Sequence, residues 1–109
     1  MEKTLTFDYQ GNTYTLEFTR KSVQQMERNG FIITELGDKP MTFLPTLFEG
    51  AFIAHHKFLK KQIIDEIYSK LTDKGALFDT LLEMYQYPIE TLMNDEPDEG
   101  NAIAWKKDF

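Results

Sequence analysis

Cysteine is missing from all 109 residues, which excludes disulfides, thiolate nucleophiles and cysteine-ligated zinc or iron–sulfur centres. Histidine is scarce as well: the only two, His55 and His56, are adjacent. Neighbouring residues on a helix point about 100° apart, so this pair cannot grip one ion as an i, i+4 pair does. The pair reads instead as His55 closing a buried stripe and His56 facing solvent. The glycines Gly11, Gly30, Gly37, Gly50, Gly75 and Gly100 form no phosphate loop, and no serine or threonine sits in a nucleophile motif. Carboxylate pairs such as Asp65–Glu66 fall on solvent-facing helix positions, which suits a surface better than acid–base chemistry. The expectation is a protein that is not an enzyme and has no cofactor and no metal.

Long hydrophobic runs are also lacking. The most apolar stretch, Phe43 to Phe58, carries Glu49, His55, His56 and Lys57 and is too short and polar to span a bilayer. With no signal-like segment near Met1, the chain reads as cytosolic and without a membrane partner. Basic charge is scarce in the C-terminal third. Residues 1–72 hold 9 acidic and 9 basic side chains, whereas residues 73–109 hold 9 acidic and 3 basic, which accounts for the net charge of −6. That distribution argues against nucleic acid, whose phosphates call for clustered Lys and Arg. Lys57, Lys60 and Lys61 make one small basic patch, without the interleaved aromatics of a nucleic-acid groove.

What is present is the composition of one folded domain: 41% hydrophobic and 28% charged residues in a length typical of single domains. Leu5, Phe7 and Tyr9, then Tyr14, Leu16 and Phe18, alternate with polar residues as two strands do. Gly11-Asn12 between them suits a type II′ turn, which would pair Tyr9 with Tyr14, Phe7 with Leu16 and Leu5 with Phe18. Thr19 can cap a helix reaching Asn29 that stops at Gly30. Phe31–Thr34 is then a candidate third strand. A second helix is expected from about Thr42 to Lys57, with Thr42 as N-cap so that Pro45 lies in the first turn.

Ile63, Ile64, Ile67, Tyr68 and Leu71 mark a third helix from about Lys60. Thr72 or Asp73 caps a fourth, with Phe78, Leu81, Leu82 and Tyr85 inside. Its stripe continues through Ile89, Leu92 and Met93, with a kink or short break expected at Tyr87-Pro88 and the second half still packed. Gly50 inside a helix implies close packing, which reads as internal. The expected fold class is α+β, an N-terminal hairpin of two or three strands against three to four helices. Residues 1–94 form the domain, 95–101 an acidic linker and 102–109 a tail. Ile103, Trp105 and Phe109 make that tail a candidate partner-binding segment, docking in cis or in trans.

The residues Glu17-Phe18-Thr19-Arg20-Lys21-Ser22-Val23, Met26-Glu27, Gly30-Phe31 and Lys39-Pro40 carry a resemblance. Leu47-Phe48-Glu49-Gly50-Ala51-Phe52, Ala54-His55-His56-Lys57, Asp65-Glu66-Ile67-Tyr68, Leu82-Glu83-Met84-Tyr85 and Trp105 belong to it too. Together they are similar to a family of small proteins from phages and prophages of Gram-positive bacteria, which resemble the tail assembly chaperones of long-tailed phages. The resemblance implies a protein of the host cytoplasm that binds the tape measure protein or tail-tube subunits. A structural tail component retained in the virion, or an oligomeric protein-binding module, is the alternative.

Overall fold

The computed structural model describes residues 3–94 and 103–109. An antiparallel hairpin opens the chain: β1, Thr4–Tyr9, and β2, Asn12–Glu17. Four helices follow: α1 (Arg20–Arg28), α2 (Pro40–Gly50), α3 (Lys61–Lys70) and α4 (Lys74–Met93). This is an α+β arrangement.

The hairpin register differs by two residues from the expected one. Tyr9 pairs with Asn12, Phe7 with Tyr14 and Leu5 with Leu16. The turn residues are Gln10 and Gly11, both at positive φ (51° and 80°), which is a type I′ rather than a type II′ geometry. A shift of two keeps every side chain on its original face, because strand side chains alternate with period two. It stacks Phe7 on Tyr14 at 5.5 Å and lets Thr13 Oγ1 donate to Asp8 Oδ1 across the strands at 2.6 Å. It also releases Phe18 from the sheet into the core, edge-on to Tyr85 at 5.3 Å.

Thr19 caps α1 as expected, in a reciprocal box. Ser22 N–H donates to Thr19 Oγ1 at 3.0 Å, and Thr19 N–H donates to Ser22 Oγ at 2.9 Å. Gly30, at φ 97°, turns the chain inward, and Phe31 N–H returns to Met26 C=O. The candidate third strand does not form: Ile33–Glu35 is a single 3₁₀ turn, and the sheet has two strands among the described residues. The reason is packing. Phe31 is buried edge-on to both Phe43 and Tyr85, a position no strand beside the hairpin would give it.

The N-cap of helix α2 lies three residues earlier than expected, at Lys39 with Pro40 first, so Pro45 does lie inside it. Pro40 has its φ preset for that position. The bond that Pro45 cannot donate would have gone to Met41 C=O, on an exposed side of the helix where water can serve instead. The helix also ends early, at Gly50. Residues 51–55 continue as successive turns, with Phe52 N–H on Glu49 C=O and Ile53 N–H on Gly50 C=O. Ala54 is therefore exposed. Gly50 itself meets the internal reading: a Cβ there would overlap Met26 Sδ and Cε.

Asp73 caps α4 from a left-handed conformation (φ 52°). The helix then runs unbroken through Pro88, which is buried. The expected break is absent, and the packing beyond it is absent too: Ile89, Leu92 and Met93 are 41%, 64% and 79% exposed. The last turns project past the core and are held by Arg20 Nη2, which donates to Thr91 C=O at 2.8 Å.

Candidate interaction surface

The chemically richest corner lies where residues 51–56 fold over the free edge of β2. In an antiparallel pair, alternate residues turn their backbone groups away from the partner strand. On β2 that outward set includes Thr15 and Glu17, and both are satisfied: Thr15 N–H donates to His56 Nε2 at 3.0 Å and Glu17 N–H to Ala51 C=O at 3.0 Å. His56 packs its ring against Tyr14 and Phe52 (centroids 5.0 and 6.3 Å). Burial, and then the neighbouring His55, push its pKa below the ordinary histidine value. His55 reaches the buried Glu17 instead, Nε2 to Oε1 at 2.6 Å.

The sequence reading therefore had the two imidazoles reversed. His55 is the more exposed ring and His56 the packed one, because the chain leaves helical geometry at Ala51 and the 100° rotation no longer applies. Each histidine has a structural partner on β2. Among the described residues no three His, Asp or Glu side chains converge as metal ligands.

Apolar surface is concentrated elsewhere. A groove of about 340 Å³ lies between α2 and the α3–α4 pair. Pro40, Met41, Leu44, Pro45, Phe48, Tyr68 and Phe78 line it, with Glu49 and Asp65 as its carboxylates. Glu49 forms a 3.7 Å pair with Lys61, and Lys74 Nζ stands 5.1 Å from the Tyr68 ring centre. A second cleft of about 360 Å³ lies between α1, α2 and the 51–61 segment. It mixes Asn29, Thr46, His56, Lys57 and Lys61 with apolar walls. Of the basic patch, Lys57 Nζ stands 5.9 Å from the Phe58 ring centre and Lys61 pairs with Glu49, and all three lysines are exposed.

The three tail residues singled out in the sequence are all in solvent: Ile103 is 91% exposed, Trp105 86% and Phe109 98%. Residues 103–109 have no regular structure, and Lys107 Nζ stands 4.2 Å from the Phe109 ring centre. The expected acidic linker, 95–101, lies outside the described residues, as does Ala102. The groove escaped sequence reading because its wall comes from three helices. Its only local signal is Met41, an apolar residue on a Pro-flanked first turn.

Compared with known proteins, the whole chain, residues 1–109, matches a family described as a domain of unknown function (DUF5055). The chain belongs to that family. No curated protein and no solved structure is similar enough to extend the comparison. Among the described residues no helix is long and apolar enough to cross a membrane.

Proposed function

We propose that the chain is a non-catalytic phage tail assembly chaperone acting in the host cytoplasm. In this reading it binds the tape measure protein, tail-tube subunits, or both, through protein contacts without nucleic acid or cofactor. The observation that carries the reading is the amount of apolar surface left open on so small a domain. The α2 groove, the Ile89–Leu92–Met93 stripe and the aromatic tail all lie outside the core. Contiguous exposed apolar surface marks interaction sites in soluble proteins. The sequence resemblance supplies the phage context. Co-expression with the cognate tape measure protein should raise that protein's solubility and yield a co-purifying complex. If neither happens, the chaperone role is wrong.

One observation favours a structural tail component retained in the particle. The outward backbone edge of β2 is covered by residues 51–56, whereas the outward N–H groups of Thr4, Thr6 and Asp8 on β1 meet no hydrogen-bond partner among the described residues. An open strand edge invites pairing with another chain. Mass spectrometry of purified virions separates the readings: a chaperone is missing from the particle, and a structural component is present in many copies.

A further inference from the structure

The groove on α2 and the C-terminal tail have complementary chemistry and do not meet within one chain. The groove is an apolar slot with carboxylates at Glu49 and Asp65. The tail presents one indole, Trp105, followed directly by Lys106 and Lys107. We propose that Trp105 of one chain seats in the α2 groove of a second copy, with Lys106 and Lys107 meeting Asp65 and Glu49.

Three observations select this occupant. First, the charges fit: Asp65 has no cationic partner among the described residues. The competing Lys61–Glu49 pair is long and its lysine 72% exposed, so it holds Glu49 weakly. Lys74 opposes the tail lysines, but it is engaged with the Tyr68 ring and Leu71 C=O. Second, the tail does not cover its own domain: its three large apolar side chains are all more than four-fifths exposed while the groove stands open.

Third, the area suits a dimer. Aromatic side chains bury about 150–250 Å² each, so one tail, with Trp105 and Phe109 both covered, buries roughly 300–500 Å². Reciprocal exchange, counting both tails and both grooves, removes about 1,200–2,000 Å² from water, the size of a standard stable interface. Each copy gives a tail and receives one, so the exchange closes with two-fold symmetry. The eleven residues from Asn94 to Trp105 can span at most about 36–40 Å, enough to reach a neighbour. This association occupies the groove and the tail and leaves the exposed Ile89–Leu92–Met93 stripe of α4 for a tail protein.

The sequence makes the test clean, because Trp105 is the sole tryptophan and there is no cysteine. Sedimentation of the full chain should show twice the 12.8 kDa monomer mass, with Trp emission shifting to the blue as the dimer forms. Trp105→Ala and, separately, Leu44→Glu should each give monomers with unchanged circular dichroism, and mixing those two variants should restore a heterodimer. Chains carrying Ala104→Cys and Met41→Cys should cross-link on mixing, well above a Lys21→Cys control. A monomer at every concentration, a dimer indifferent to Trp105→Ala, or a doubly substituted Ala104→Cys/Met41→Cys chain that forms only an internal disulfide would each overturn the proposal.

Discussion

His56 Nε2 accepts the backbone N–H of Thr15 at 3.0 Å, so a side chain 41 positions away closes the edge of β2. The bond requires an unprotonated Nε2. Because burial holds the pKa of His56 below its ordinary value of about 6.5, the unfolded chain takes up this proton first as pH falls. Stability tied to His56 is therefore present above about pH 6.5 and is lost as pH falls toward the folded-state pKa. His56→Gln keeps an acceptor for Thr15 and removes the titration. Melting temperatures between about pH 7.5 and 5.5 should fall less in this variant than in the parent. Equal slopes in parent and His56→Gln would refute the link.

Tyr85 is buried at the centre of the core, edge-on to Phe18 and Phe31, and its hydroxyl has no hydrogen-bond partner among the described residues. Burial first, and then Glu27, push its pKa up to about 12. Tyr85→Phe keeps both ring contacts and removes the unpaired group, so it should stabilise the fold by about 1 kcal/mol. Its advantage should grow as pH rises above about 10, where the unfolded tyrosine ionises and the folded one does not. Denaturant titration at neutral and alkaline pH measures both effects, and a clear loss of stability at neutral pH would show a hidden role for the hydroxyl.

Gly50 and Met26 share one space. Gly50→Ala should destabilise by about 1–3 kcal/mol through overpacking, against a helix-propensity gain of at most about 1 kcal/mol at this last helical position. Met26→Ala alone should cost about 2–5 kcal/mol. The double variant should lose less than the sum, because the new methyl enters the vacated space. Strict additivity in urea unfolding would show that the two residues do not compete.

Leu92 and Met93 are exposed on the projecting end of α4. Replacing both with Lys should leave thermal stability within about 0.5 kcal/mol per site, as at ordinary surface positions. If this stripe serves partner binding, the same variant should recover less tape measure protein in co-expression. A large drop in melting temperature would instead mark the stripe as part of the fold.

Local chemistry made part of this molecule readable from its residues. Alternation in residues 5–18, the Thr19 cap, the Gly30 stop and the apolar spacing of α3 and of α4 as far as Tyr85 each depend on neighbours within a few positions, and all appear in the structure. The hairpin register, the 3₁₀ turn at Ile33–Glu35, the early start and end of α2 and the reversed roles of His55 and His56 were decided elsewhere. In each case a distant group outweighed a local preference. Tyr85 drew Phe18 and Phe31 inward, and the open edge of β2 took the segment that would otherwise have prolonged α2. The tail stands out in the sequence because it carries the only tryptophan, with Ile103 and Phe109, beyond an acidic segment. The groove does not, because its walls are brought together only by three helices distant in sequence.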